Sequence, residues 1–569
     1  MRNAARRRMS RMRPDPARTC FRFTALGKKR AAAGAVLGGR RQGGEERAEA
    51  QERPYGRPGP GRCGEGPAPA RPRRSRPAGP AGDRGPRPRG RRRSRAALPG
   101  SAGRGLGRGQ RGRGGGTLYR PVTRRVPDKG GARPGAPSPA GRLARTRSGP
   151  EDLAFLLDGL HSRRLVLLKS LLTRLERRPS AVPGHARERF AEHWRLLERA
   201  EEHAPLPVRD TLDHPSVGNW LAAALTAADG EPLTRSLDHF GAVAATAALR
   251  AGTDFALDLA APGGILALPG AGLARTGAET VRLTAHGRTA RLTADGRRAG
   301  PVLLRAAGRL SGAGAGWQGL RRLPGSGACL DDLDPYRAPS GGVGRAALPA
   351  APREAGGHEP WLRRWRAALA LLRATDPQRA AETVALLRCL VPLARHGAGG
   401  RVLEAGAKAS ATFRAAPGAV FTTPPESAAE LAEVLVHETQ HSKLSVLHDL
   451  VPLHQAAPGA VHRVAWRADP RPLAGVLQGT YAHLALADFW DRAARRRPLP
   501  PAAAADARAR RDSYGGQVAQ ALPILLESGE LTPEGREFVE GMERHLAVLL
   551  GTAGHCAPFG GTSPAGDVR

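Results

Sequence analysis

The 569-residue chain carries 90 Lys and Arg against 51 Asp and Glu, a formal net charge of +39. The excess is local: residues 1–150 hold 40 basic and 8 acidic side chains, +32 of the total, which leaves +7 for everything after them. No run approaches the ~20 apolar residues of a membrane span, and five dispersed cysteines with no CxxC pair exclude a disulfide framework and a zinc knuckle.

Residues 1–147 form a basic leader of Arg, Gly, Pro and Ala, with stretches such as RGPRPRGRRRSRAALPG and GRGLGRGQRGRGGG. So few aliphatic and aromatic side chains cannot offset the entropy of ordering, and the leader is expected to be disordered. An arm that binds nucleic acid would interleave aromatics with its arginines; only Tyr119 stands near the RGRGGG run. Nucleic acid is therefore not an expected partner of the folded part. No apolar signal-peptide core is present, since AAAGAVLG at 31–38 is short and Gly-rich. The expected location is cytoplasmic.

Order is expected from Ser148. Ser148-Gly149-Pro150-Glu151 has capping-box spacing, and Leu153, Leu156, Leu157, Leu160, Leu167, Leu168, Leu171 and Leu175 follow at helical intervals. Further helices are expected at Ala186–Glu202 (Phe190, Trp194, Leu197), after His214-Pro215, and at Leu237–Arg250. Beyond Gly252 the period shortens. Phe255–Leu259 and Gly264–Leu268 read as strands, and Thr280–Leu283 with Thr289–Leu292 as a hairpin. Residues 311–357 read as a Gly/Pro-rich loop. Its acidic cluster Asp331-Asp332-Leu333-Asp334 lacks the ligand spacing of an EF-hand and reads as a turn. Helices return at Pro360–Arg373 and Pro377–Leu393. A β-like segment, Ala411–Thr423, then leads into a helix from Ser427. Arg471–Arg495, Gln517–Leu526 and Thr532–Leu550 read as the closing helices. The fold expected is α+β and mostly helical, with a small mid-chain β-sheet and a metal site on a helix. Its divisions are a leader at 1–147, a helical subdomain followed by short strands at 148–310, the loop at 311–357, a metal-binding domain at 358–550 and a loose tail at 551–569.

The chemistry concentrates in His437-Glu438-Thr439-Gln440-His441. Two histidines four apart project from one face of a helix and can share a metal ion, with the intervening glutamate at its flank. The longer HExxHxxGxxH form is excluded, because Leu444 and Leu447 occupy its Gly and His places. His448 would lie about 10 Å along the axis from His441, so it is expected to pack or to support. His454, after Pro452, could swing back. His483, amid the small and apolar neighbours of Gly479-Thr480-Tyr481-Ala482-His483-Leu484, is the chosen third ligand. Asp488, five residues on, points off that face, and Glu527 is remote. Of the flanking bases Lys443, Arg463, Arg467 and Arg471, either Arg467 or Arg471 could clamp a carboxylate, that of 2-oxoglutarate or that of a peptide.

From about Glu151 to Leu550 the chain resembles the actinobacterial HExxH-motif family of peptide-modification proteins. Its members occur alone or fused to radical-SAM maturases, in clusters that make ribosomally synthesised, modified peptides. The resemblance is carried by His214-Pro215-Ser216-Val217-Gly218-Asn219-Trp220, Asp334-Pro335-Tyr336-Arg337, Val436–Leu444, Asp449-Leu450-Val451-Pro452-Leu453-His454, Trp466–Leu473 and Gln478–Leu484. Thr439 stands where members commonly carry a bulkier aromatic. The resemblance implies Fe(II)- and 2-oxoglutarate-dependent hydroxylation of a side chain in a precursor peptide, with a radical-SAM maturase as a candidate second partner. In that reading His437, His441 and His483 hold iron, Arg467 or Arg471 holds 2-oxoglutarate, and Glu438 orients water or substrate. Two alternatives stay open: a zinc metallopeptidase with Glu438 as general base, and a non-catalytic binding module.

Overall fold

Proline or a capping side chain opens most of the helices and fixes where they begin. A computed structural model describes residues 138–294, 301–344, 346–353, 357–395, 408–455, 460–496 and 500–551. All of these belong to one compact unit, Ala132–Arg569. The leader up to residue 137 and the tail from 552 lie outside the described residues. The fold is α+β and mostly helical, as the sequence leads one to expect.

Order starts ten residues ahead of Ser148. A short helix, α1 (Pro139–Leu143), is capped by Ser138, whose hydroxyl accepts from Gly141 N–H at 3.0 Å and donates to Glu537 near the chain's end at 2.7 Å. Leu143 and Ala144 are buried in the core. Helix α2 (Pro150–Arg177) is capped one residue later than expected. Gly149 is the cap, Pro150 takes the first turn, and the Asp152 carboxylate accepts from Gly149 N–H at 3.1 Å. Its Leu156, Leu160, Leu168, Leu171 and Leu175 are buried. Helices α3 (Gly184–His203), α4 (Pro205–Leu212), α5 (Pro215–Thr226) and α6 (Glu231–Ala251) complete the first helical layer.

The mid-chain β region is larger than one small sheet. Strands β1 (Phe255–Ala260), β4 (Thr280–His286), β5 (Thr289–Ala294), β6 (Val302–Ala307) and β7 (Arg309–Ala313) form an antiparallel sheet in the order β1-β4-β5-β6-β7. The expected hairpin is β4–β5, with His286 opposite Thr289. Strands β2 (Ile265–Leu268), β3 (Gly272–Arg275) and β8 (Trp317–Gly319) make a second, three-stranded sheet.

A mixed five-stranded sheet, of which the sequence reading found only the β-like stretch Ala411–Thr423, underlies the candidate site. Its order is β12 (Ser410–Ala411), β13 (Ala419–Thr422), β11 (Cys389–Pro392), β10 (Cys329–Leu330) and β9 (Arg321–Arg322), with β10, β11 and β13 parallel. Helices α7 (His358–Thr375) and α8 (Pro377–Leu386) form the crossover from β10 to β11. The helix expected to run to Leu393 therefore ends at Leu386, and Cys389–Pro392 is a strand buried at every position. A strand covered on both faces shows a continuous apolar run, which periodicity cannot separate from a buried helix. Residues 311–357 are likewise not all loop, since they supply β8, β9 and β10. The acidic cluster is a turn: Asp331 Oδ1 accepts from the N–H of Leu333 and of Asp334.

After β13 come α9 (Ala428–Leu450), the hairpin β14 (His462–Val464) and β15 (Arg467–Arg471), and helices α10 (Leu473–Arg495), α11 (Pro501–Glu527) and α12 (Pro533–Leu550). Helix α11 starts well before the expected Gln517. Thr532 caps α12, accepting from Gly535 N–H at 3.0 Å. Among the described residues no helix is long and apolar enough to cross a membrane.

Candidate metal centre

Ser427 starts α9, its hydroxyl accepting from Glu430 N–H at 3.1 Å, just beyond Pro424-Pro425. Leu431, Leu435, Val436, Leu444 and Leu447 are buried and anchor the helix. That leaves His437 and His441 facing α10. Their rings stand 4.5 Å apart between centroids at 89°, and their Nε2 atoms approach to 3.0 Å. On the far side of the His441 ring, Nδ1 lies 2.9 Å from the amide oxygen of Gln478 on α10. An amide oxygen only accepts, so Nδ1 of His441 carries the proton and Nε2 holds a lone pair directed at His437.

His483 completes the group. It is 7% exposed, its ring centroid is 5.6 Å from that of His437, and its Nδ1 is buried without a partner. Trp466, between β14 and β15, presents an edge to His483 at 4.7 Å, and Tyr514 of α11 lies at 5.4 Å. Gly479 permits this closeness, because a Cβ there would fall 2.7 Å from the Trp466 ring. Tyr514 is in turn held by Glu433, one turn before His437, which accepts from the Tyr514 hydroxyl at 3.2 Å, Trp490 Nε1 at 2.8 Å and Arg510 at 3.0 Å.

Burial holds all three imidazoles below the usual histidine range. His437 is pushed well down, with His441 and His483 adding to the effect; His441 is lowered against the opposing bond from Gln478; His483 falls to about 4. Neutral imidazole is the form that ligates metal. Glu438 is 1% exposed, and burial lifts its carboxyl to about 7 against the opposing bond from the Ser410 hydroxyl, which donates to Oε1 at 2.7 Å. Its Oε2 is buried and unpartnered.

These donors meet a divalent ion's needs in part. At metal–nitrogen bonds of about 2.1 Å, two ligands at right angles have nitrogens roughly 3 Å apart, the spacing of the His437–His441 pair. The Gln478 bond is the outer support that ligating histidines use to fix their tautomer. As they stand, however, no three His, Cys, Asp or Glu side chains among the described residues are grouped to hold a metal ion. The pair fits, and His483 supplies a third nitrogen only if its side chain shifts.

Other expected participants are engaged by neighbouring groups. Arg467 and Arg471, with side chains 42% and 37% exposed, both pair with Asp469, at 3.5 and 3.4 Å. His448 and His454 stack on each other at 4.4 Å, and His448 Nδ1 accepts from Leu453 N–H. Lys443 does not flank the site. It is 2% exposed, ion-paired with Glu382 of α8, and donates to the Thr146 carbonyl at 2.9 Å. Asp488 is likewise no ligand, being bound by Arg379 of α8 at 2.9 Å and by Arg492 at 3.2 Å.

Sequence reasoning missed Gln478, Tyr514, Glu433 and Ser410 as parts of the site. For Gln478 a signal existed: it is a lone amide directly after the apolar run Leu473–Leu477, one turn before Ala482-His483. Ser410 and Tyr514 arrive from separate elements, and no local pattern marks them. No protein-family model matches the chain, and no curated protein matches its sequence.

Proposed function

We propose that the chain is a metal-dependent enzyme acting on a peptide, with Fe(II)- and 2-oxoglutarate-dependent hydroxylation of a side chain as its reaction. The observation that carries the metal reading is the His437–His441 pair, two neutral imidazoles with Nε2 atoms 3.0 Å apart and an amide behind one of them. The choice of hydroxylation rests on the family resemblance of the motif segments. His437, His441 and His483 would hold the ion. Iron held there would supply the oxidation of a C–H bond by O2, one oxygen atom entering the substrate as a hydroxyl and the other entering succinate as 2-oxoglutarate loses CO2.

The chain's own residues position the reactants. Gln478 keeps the His441 proton on Nδ1. Trp466 and Tyr514, both half-buried, border His483 and can press a substrate side chain against it. Arg467 or Arg471 would take the distal carboxylate by exchanging Asp469 for it. Glu438, with Oε2 unpartnered, would orient water or substrate beside the pair. The test is purified full-length protein with Fe(II), 2-oxoglutarate, O2 and candidate precursor peptides drawn from the neighbouring genes. Succinate formed in step with one added oxygen atom per modified residue supports the reading. Activity with zinc alone, and indifference to 2-oxoglutarate, refutes it.

One observation favours a second reading, a zinc metallopeptidase. A buried carboxyl with one unpartnered oxygen, on the residue that follows His437, suits a general base for a metal-bound water. Peptide-bond cleavage that survives in the wild type and vanishes in Glu438→Gln would select it. Metal content well below one per chain, unchanged by His437→Ala, would instead leave a non-catalytic module.

A further inference from the structure

A cleft among the described residues lies away from the candidate metal centre, between α3 and β1. Its volume is about 580 Å³. One wall is the outer face of α3, where His185, Glu188, Arg189, Glu192, Arg195 and Arg199 are all exposed; the other is the Phe255–Leu257 stretch of β1. Among the described residues strand β1 is the end of its sheet and pairs only with β4. Phe255, Leu257 and Leu259 turn into the core, so what β1 offers the cleft is its backbone edge and the small, exposed Ala256. An open edge with unsatisfied amides and carbonyls is a template for one more strand.

The helical wall says what that strand would carry. Arg189 is already engaged by Asp238 at 2.9 Å. Among the charged residues that line the cleft, those left without an ion pair among the described residues are Glu188 and Glu192 towards the start of α3 and Arg195 and Arg199 further along it. The two pairs are centred seven residues apart, about 10 Å on a helix, which roughly three residues of an extended strand would span.

We infer that the α3–β1 cleft docks an extended segment of another polypeptide, added as a strand to the free edge of β1, acidic over one half and basic over the other. The inference stands apart from the metal chemistry, and binding is measured without metal or cosubstrate. The probe is a fluorescein-labelled nonapeptide, Thr-Lys-Val-Lys-Val-Glu-Val-Glu-Thr, titrated with the full-length chain by fluorescence anisotropy at low salt. Saturable binding with a Kd on the order of 100 µM or tighter is expected for a short added strand. The isomer N-methylated at alternate amides should bind at least tenfold more weakly, since it keeps every side chain and loses strand pairing. Arg195→Glu/Arg199→Glu, on an exposed helix face that leaves folding intact, should weaken the probe by at least tenfold. Amides of Phe255–Ala260 should gain hydrogen-exchange protection when the probe is bound. No saturation at roughly millimolar protein, far above the affinity of strand addition, would overturn the inference. So would equal binding of the N-methylated isomer, or indifference to the double charge reversal.

Discussion

Gln478 and Gly479 show how narrowly neighbouring residues shape the candidate site. Gln478 reaches across to His441 Nδ1, and its loss would free the ring to turn or change tautomer. Gln478→Leu is expected to lower affinity for Fe(II) or Co(II) by about 10- to 100-fold, with Gln478→Glu, which retains an acceptor, recovering most of it. Titration followed by the Co(II) absorption band reads this directly, whatever the reaction. Gly479 acts by absence. A methyl there would meet the Trp466 ring at 2.7 Å, and the facing atoms are a rigid indole. Gly479→Ala should cost about 1–3 kcal/mol by overpacking and displace Trp466 from His483, visible as a change in tryptophan emission. The histidine pair was legible in the sequence because four-residue spacing on one helix is local information. His483 was legible only as an uncharged imidazole in an apolar helix, and Arg467 and Arg471 only as charges whose commitment to Asp469 no pattern reveals.

Helices α9 and α10, which carry the site, are tied together by buried charge as well as by packing. Lys443 of α9 pairs with Glu382, Asp488 of α10 pairs with Arg379, and both partners in this bridge, Glu382 and Arg379, sit on α8. The loop before α2 closes it: Arg379 donates to the Thr146 hydroxyl at 3.1 Å, and Ser148 N–H donates to Glu382 at 3.0 Å. Removing one member strands a buried charge. Lys443→Met should destabilise the fold by about 3–5 kcal/mol, and Lys443→Met/Glu382→Leu should regain much of that loss; denaturant unfolding distinguishes the two. Such long-range pairing left no trace in the sequence reading, where Lys443 counted as a flanking base. Element ends were better marked. Ser427, Thr532 and Pro150 fixed helix starts through cap chemistry, while β11 hid because burial on both faces erased its alternation. At His214, which caps α5 and contacts the Ser216 hydroxyl at 2.8 Å, burial lowers the imidazole to about 4 against the opposing pull of Asp334. Its folded value lies below its unfolded one, so the unfolded chain takes the proton first. Stability is then full above about pH 6.5 and falls as pH drops towards 4, by up to about 2 kcal/mol between 6.5 and 5. His214→Asn keeps a capping side chain and should remove one proton's share of that slope in melting temperature against pH.

At the scale of the molecule, charge and fold separate along the chain. Residues 1–131 hold 36 basic and 8 acidic side chains, +28 of the +39 total. Every residue described above lies in the unit that begins at Ala132. A chain starting at Ala132 should therefore keep the full-length protein's melting temperature and divalent-metal affinity, with net charge reduced to +11. Its retention on an anionic column, or on non-specific DNA, should fall steeply and lose most of its salt dependence, because that binding scales with the cations engaged. The cut site decides whether the comparison is fair. A start at Ser148, where capping-box spacing alone would place the boundary, deletes α1 together with Thr146 and Arg147. Leu143 and Ala144 would leave a hole against α12, Tyr481 would lose the Leu143 carbonyl to which its hydroxyl donates at 2.7 Å, and Lys443 and Arg379 would lose Thr146. A vacated leucine site alone costs about 2–5 kcal/mol, and two buried cations without their oxygens add to it. The shorter chain should melt well below the longer one and bind metal weakly, since the missing segment braces both α9 and α10. Equal melting temperatures for the two truncations would show that α1 is not part of the core; a large gap would show that the folded unit starts ahead of the first strong helix signal.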